Sequence, residues 1–137
     1  EAALRGDTLQ VYGDGSQRRS FCHVSDLAKG VIAVQNQTAA NGIYNVGNPD
    51  NITTIEALAH TIHALCNSDS VIRHVDPYAL HGKRFIEAFD KIPNINKLQA
   101  ASDWSPLMSL SDTLERIHAF YQTRGNHVPE MTEPELA

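Results

Sequence analysis

Positive charge is in short supply in this 137-residue chain, where 11 Lys and Arg face 16 Asp and Glu, for a net charge of −5 and a pI near 5.7. A protein that tracks phosphate backbones or anionic lipid needs a basic surface, so no nucleic-acid partner and no anionic membrane is expected. Cysteine is equally scarce: Cys22 and Cys66 are the only two, and they stand far apart. That argues against a disulfide scaffold and suits a reducing cytosol, where cysteine serves as a small buried hydrophobe. The expected location is therefore cytoplasmic. No apolar run approaches the roughly 18 residues of a membrane helix, and no signal-peptide pattern opens the chain. Internal repeats and low-complexity tracts are missing as well.

What is present is the mix of an ordinary globular domain, with 42% hydrophobic and 20% charged residues. The chain opens on Glu1 rather than Met, and Glu1 to Gly6 reads as the last turn of a helix stopped by glycine. A piece cut from something larger is expected. Leu9–Tyr12 is β-like and breaks into the turn signal Gly13-Asp14-Gly15-Ser16-Gln17. Arg19 to Val24 looks extended. A helix follows from about Asp26 to Gln35, with Ser25 as its N-cap and Leu27, Val31 and Val34 on one face. Gly42–Val46 reads as a strand closed by Gly47-Asn48-Pro49-Asp50.

The next helix has the clearest signal. Thr53 and Glu56 have capping-box spacing, and Ile55, Leu58, Ile62 and Leu65 form an apolar stripe. Val71–Val75 predicts a short strand, residues 76 to 93 a long loop of the functional kind, and Asn94 to about Ala101 a short helix. Trp104-Ser105-Pro106 makes a turn, with Trp104 read as a core or corner residue. Ser111 to Thr123 predicts a final amphipathic helix with Leu114, Ile117 and Tyr121 inward, and Gly125 to Ala137 reads as a disordered tail. Strands alternating with helices indicate an α/β arrangement, with too few strands for a complete doubly wound sheet.

The stretch that carries chemistry runs from Val11 to Leu27, Val-Tyr-Gly-Asp-Gly-Ser-Gln-Arg-Arg-Ser-Phe-Cys-His-Val-Ser-Asp-Leu. Glycine carries no Cβ, so a Gly-Asp-Gly loop allows close backbone approach to a ligand. Two arginines follow, and a guanidinium fork suits bidentate contact with phosphate. The bland alternative is a hairpin turn with two solvated arginines. Asp26 reads as a helix-start residue that stabilises the first turn, and His23 as a packing residue or the maker of a single hydrogen bond. His60 and His63 lie one helical turn apart, but no Cys or carboxylate clusters with them as a zinc site requires, so no metal is expected. No Ser-His-Asp or Cys-His arrangement has supporting context.

The whole string resembles the substrate-side pattern of the NAD-dependent epimerase/dehydratase family, the extended short-chain dehydrogenase/reductases that act on nucleotide sugars. Tyr44-Asn45-Val46-Gly47, Thr54-Ile55-Glu56, Pro93-Asn94-Ile95 and Trp104-Ser105-Pro106 continue the likeness in order, over roughly residues 1 to 124. The resemblance implies the C-terminal substrate-binding subdomain of a partial Rossmann-type fold without its cofactor half. It implies that Val11, Tyr12, Gly13 and Gln17 line the nucleotide end of the pocket, that Arg19 contacts the diphosphate, and that Arg18 is exposed. Lys91 stands where the family has an arginine and is implied to hold the diphosphate together with Arg19. It keeps the charge and loses the fork, while Lys83 and Arg84 are nearby cations. Residues 78–84 and 91–95 most resemble the decarboxylase domain of the enzyme that modifies lipid A with aminoarabinose.

The resemblance further implies a nucleotide-diphosphate sugar, most naturally a UDP-sugar, as partner, NAD as cofactor of the intact parent, transient oxidation at sugar C4, and a homodimer formed through a region outside this sequence. The family's Gly-x-x-Gly-x-x-Gly turn and Tyr-x-x-x-Lys pair are not in this sequence. This chain alone is accordingly expected to bind no NAD and to hold no catalytic residue. A stand-alone, non-catalytic sugar-nucleotide or assembly module is the other reading. The cut sheet predicts poorly covered apolar faces near residues 27–34 and 55–65, and marginal stability alone.

Overall fold

The computed structural model describes residues 1–37, 42–82 and 84–123. The expected tail from Gly125 and the loop cation Lys83 lie outside the described residues. The elements in chain order are α1 (Ala2–Arg5), β1 (Leu9–Tyr12), β2 (Arg18–Ser20), α2 (Val24–Gln37), β3 (Ile52–Thr54), α3 (Ile55–Leu65), β4 (Ile72–Val75), α4 (Pro77–His81), β5 (Asp90–Lys91), α5 (Asn96–Ala101) and α6 (Leu110–Thr123). Gly6 ends α1 in the left-handed conformation at φ 74°, the conformation that the absence of a Cβ makes inexpensive.

The strands form two small sheets. In the first, β1 runs parallel to β4, with Leu9 opposite Ile72 and Tyr12 opposite Val75. In the second, β2 lies between β3, which is antiparallel to it, and β5, which is parallel. Since β1 and β2 are joined by one tight turn, the two sheets meet at the Gly13–Gly15 corner. Residues from β1, the corner and β2 can therefore face one space.

Packing concentrates on Ile95, Leu98 and Trp104, with Ala33, Val34, Tyr44 and Val46 against them. Full burial of a leucine such as Leu98 contributes about 1.5 to 3 kcal/mol. Helix α2 comes close to this cluster at Gly30, where a Cβ would lie 3.0 Å from Trp104 Cε2 and nearer still to Val46 Cγ1. Asp26, one turn earlier and 1% exposed, accepts hydrogen bonds at Oδ2 from the Leu107 and Met108 amides at 2.9 and 2.8 Å. The Trp104 indole N–H donates to the Asp26 carbonyl at 3.1 Å. Asp26 thus clamps the 104–108 segment to α2, a longer-range role than the first-turn stabiliser that the sequence suggested.

Several local expectations change. Helix α2 begins at Val24, with His23 before it: the Asp26 and Leu27 amides donate to the His23 carbonyl, and the Ser25 amide donates to His23 Nδ1. Histidine therefore does the capping expected of Ser25, and the extended run from Arg19 stops as a ladder at Ser20. Thr54, not Thr53, caps α3 by accepting from the Ala57 amide at 3.1 Å, because β3 runs through both threonines and the helix starts only at Ile55. Residues 76–93 contain α4 and β5 as well as loop.

The expected strand at 42–46 is not a ladder strand, since no described segment hydrogen-bonds alongside it as one. Instead, Tyr44 and Val46 pack on the core cluster, and Lys97 Nζ lies 4.4 Å from the Tyr44 ring centre. The face of α2 carrying Val24, Leu27 and Val31 is exposed at 72%, 41% and 55%. Its inward face is built from Asp26, Gly30, Ala33 and Val34 instead. In α3 no residue is fully buried, although Ile62 and Leu65 meet Leu114, Ile117 and Tyr121 of α6 around a small apolar hollow.

Candidate functional site

The Gly13–Gly15 corner is held from within. The Gly13 amide donates to Val75 O at 2.9 Å and the Gly15 amide to Tyr12 O at 3.3 Å. The Ser16 amide and hydroxyl both donate to Asp14 Oδ1, at 2.9 and 2.6 Å. Those bonds hold the Asp14 carboxyl below its ordinary value of 3.8, the Ser16 hydroxyl contributing most. At φ 71°, Gly15 passes so close to β1 and α3 that a Cβ would lie 2.7 Å from Val11 Cγ1 and 2.8 Å from Glu56 Cβ. Its need for glycine is therefore a packing need. Gly13, at φ 62°, has open space where its Cβ would be.

Beside this corner lies a cleft of about 340 Å³ lined by Gln10, Tyr12, Gln17, Arg19, Ile55 and Glu87. Strand alternation explains the first two: Gln10 and Tyr12 face the cleft, while Val11 between them is 1% exposed and points into the packing. Gln17, also buried, donates from Nε2 to Tyr12 O at 3.2 Å, and its carbonyl accepts from the Ile55 amide at 3.2 Å. The corner is thereby tied to the start of α3.

The two arginines diverge because β2 is pleated. Arg18 reaches Asp90 with both arms, Nε and Nη2 each at 2.7 Å, and this pairing raises the guanidinium pKa and lowers that of the carboxyl. Arg19 turns into the cleft with its side chain 18% exposed. It donates to Glu87 Oε1, to Arg18 O at 2.7 Å and to Phe89 O at 3.3 Å. Lys91 is opposite Arg19 in the parallel β2–β5 register and is exposed. Register puts Arg19 and Lys91 on one face of the sheet, and Arg18 and Asp90 on the other.

An aromatic group closes the Tyr12 side. The Tyr12 hydroxyl lies 3.2 Å from His81 Nε2, the Phe85 ring stacks on His81 at 5.3 Å between centres, and Tyr78 meets Phe85 edge-on. Asp76 starts α4 by accepting from the Tyr78 amide at 2.9 Å, which sets these rings against β1. Of the residues expected at the site, Tyr12, Gln17 and Arg19 thus share one cleft, with Gly13 at its corner. Val11 lies behind the strand, and Lys91 lies beside Arg19 without lining the cleft. Gln10 and Glu87 come from sequence positions with no motif to mark them, while Ile55 and His81 stand in family-like strings that gave them no role at the site. Alternation along Leu9–Tyr12 was the one signal that could have found Gln10.

Elsewhere, Glu56 bridges two imidazoles, His60 Nε2 at 3.0 Å and His74 Nε2 at 2.8 Å. A carboxylate therefore sits beside His60, one turn back on the same helix. Among the described residues, however, no three metal-ligating side chains converge in a way that could hold an ion. Nor is any described helix long and apolar enough to cross a membrane.

This α/β arrangement has known counterparts. Residues 1–47 match the model of the NAD dependent epimerase/dehydratase family. The chain is 36% identical over 125 residues to the UDP-N-acetyl-alpha-D-glucosaminuronate decarboxylase of Bacillus cytotoxicus, covering 91% of this chain and 39% of that protein. Its kinship is with the NAD-dependent epimerase/dehydratase family. UDP-glucuronic acid decarboxylase 1 of Danio rerio is 31% identical over 91% of this chain and 28% of its own length. The dTDP-glucose 4,6-dehydratase of Bacillus anthracis, solved in complex with NAD, superposes with a TM-score of 0.77 at 23% identity, over 92% of this chain and 38% of that one. The epimerase/dehydratase-like chain thus spans less than two fifths of the curated relatives named here, and its fold corresponds to a part of a Rossmann-type enzyme of this family.

NAD pyrophosphate is typically taken by a glycine turn at a helix N-terminus. The glycine corner here leads into strand β2, and its Gly13 and Ser16 amides are already bound within the chain. The corner therefore does not fit the pyrophosphate of that cofactor.

Proposed function

We propose that this chain supplies the substrate-binding part of a cytoplasmic NAD-dependent nucleotide-sugar epimerase, dehydratase or decarboxylase, and that the cleft at the Gly13–Gly15 corner takes the diphosphate of a UDP-sugar. The observation that carries the reading is the convergence of Tyr12, Gln17 and Arg19 on one cleft, in a chain whose curated relatives named above are UDP-sugar decarboxylases by name. Arg19 is the cleft's cation, fixed by two backbone carbonyls so that its remaining donors are aimed rather than free. A guanidinium held in this way binds a phosphate with little further loss of side-chain entropy. Tyr12, braced by His81, provides a flat wall for a base, and Lys91 on the same sheet face adds a second positive charge. The cleft's groups are a phenol, two carboxamides, a guanidinium and a carboxylate. Their chemistry is grip and orientation, so this chain alone is inactive and the redox step falls to residues of the parent enzyme outside it.

Calorimetric titration with UDP, UDP-glucuronate and NAD tests the reading. UDP and UDP-glucuronate should bind, NAD should not, and Arg19→Ala should weaken UDP binding at least tenfold, as expected for loss of a charge-assisted pair worth about 1.5 to 3 kcal/mol. An Arg19→Ala variant that is folded and binds UDP as tightly as the parent would refute the assignment.

A further inference from the structure

The anion-binding arm of Arg19 is already occupied. Glu87, on the segment between α4 and β5, places its carboxylate on Arg19 Nη2 and lines the same cleft as Tyr12 and Gln17. Its placement is supported three residues on, where Asp90 receives both arms of Arg18 at 2.7 Å. The Phe89 carbonyl between them accepts from the Arg18 amide at 2.8 Å and from Arg19 Nη1. The segment from Glu87 to Lys91 is therefore stitched to β2 by backbone and side chain together, and the Glu87 carboxylate is held at the guanidinium.

From this geometry we infer that Glu87 is an internal counter-anion that a ligand's phosphate must displace from Arg19, and so sets the affinity of the cleft. The inference rests on the reading of the cleft as a diphosphate site. The physical argument is competition. Nη1 of Arg19 is engaged by two backbone carbonyls and Nη2 by Glu87, so the Nη2 arm is where a phosphate entering the cleft meets the Glu87 carboxylate. A phosphate and a carboxylate on the same arm would repel each other at close range. The ligand gains its contact with that arm only as Glu87 lets go, and its affinity is lowered by whatever the internal pair contributes. With side chains 18% and 33% exposed, the pair is partly shielded from solvent, above the weakest surface class and well short of a buried one. Release of the bound phosphate is assisted by return of Glu87.

The test is titration of the full chain with two probes, UDP and inorganic pyrophosphate, in the parent, Glu87→Gln, Glu87→Ala, Asp90→Asn and Arg19→Ala forms, with folding checked by circular dichroism. Removing the counter-anion should tighten both probes about three- to tenfold, the range expected of a partly exposed pair. Glu87→Ala should act more strongly than Glu87→Gln, whose amide oxygen can still accept from Arg19. Asp90→Asn removes the same charge from the same segment but acts on Arg19 only by loosening the Arg18 anchor of Glu87, and should tighten either probe less than Glu87→Ala does. Tightening by Asp90→Asn equal to or greater than that by Glu87→Ala would mean a general field effect and would overturn the inference. Unchanged or weaker binding in both Glu87 variants, with Arg19→Ala still losing UDP, would overturn it while leaving the cleft assignment standing. If Arg19→Ala binds like the parent, the cleft assignment itself fails and the counter-anion falls with it.

Discussion

Replacing Asp26 with alanine should cost this protein more stability than any change in the proposed cleft, although the sequence marks it only as an acid near a helix start. Its carboxylate is 1% exposed and accepts from two amides, those of Leu107 and Met108, at 2.9 and 2.8 Å. Both donors lie on a segment with no regular structure, where this carboxylate holds the amides and Asn48 and Asn51 hold the Met108 carbonyl. Alanine leaves the two N–H groups without an acceptor, at about 1 to 3 kcal/mol each when buried. The bonds are only partly buried, and admitted water would satisfy part of the deficit, so a total of about 2 to 4 kcal/mol is expected. Loosening of residues 104–108 would also weaken the Trp104 contact with the core. Asparagine keeps the volume and one acceptor oxygen, and should cost about half as much. In urea unfolding followed by circular dichroism, with a slope of about 1 to 3 kcal/mol per molar, Asp26→Ala should lower the midpoint by roughly 1 to 2 M. Asp26→Asn should fall between that variant and the parent. An alanine midpoint within about 0.3 M of the parent would refute the clamp.

The corner glycines should separate cleanly. Gly15→Ala forces a Cβ onto Val11 and onto both the side chain and the backbone of Glu56, where nothing can shift cheaply, and should cost about 2 kcal/mol or more, whereas Gly13→Ala meets open space and should cost about 1 kcal/mol for its positive φ alone. Equal losses in thermal or urea unfolding would show that packing at Gly15 is not the constraint. The acid limb of stability should depend on Glu56, whose carboxyl is held below its ordinary 4.5, chiefly by the hydrogen bond from His74 and then by that from His60, against desolvation. A folded-state value below the unfolded one gives stability that is complete above the ordinary carboxylate value and is lost as pH falls through the folded value. Glu56→Gln should therefore flatten part of the decline in urea midpoint between about pH 5 and about pH 3, leaving the share due to Asp14 and Asp90, which are lowered in the same way. A parallel decline in parent and variant would refute that role for Glu56.

The elements legible in the sequence are those whose cause is local. Gly6 stops α1, the apolar stripe from Ile55 to Leu65 makes α3, and β1 and β4 appear at the β-like runs that predict them. The misplaced features are of two kinds. The caps are off by a residue or two: Thr53 and Thr54 both pair across β2–β3, and the cap falls to Thr54 because the helix starts only at Ile55. The rest depend on a partner distant in sequence. Gly42–Val46 has a strand's composition, yet a strand is a ladder, and a ladder needs a second chain segment that no run of five residues can announce. The site divides along the same line. Tyr12, Gln17 and Arg19 stand within eight residues of one another, so a local motif could point to all three. Glu87 lies 68 residues beyond Arg19, in a loop where one acidic residue among Phe85, Ile86 and Ala88 carries no pattern at all. Only the closure of β5 onto β2, set by Arg18 and Asp90, turns it from a solvated charge into the partner of the one guanidinium among the described residues that faces the cleft.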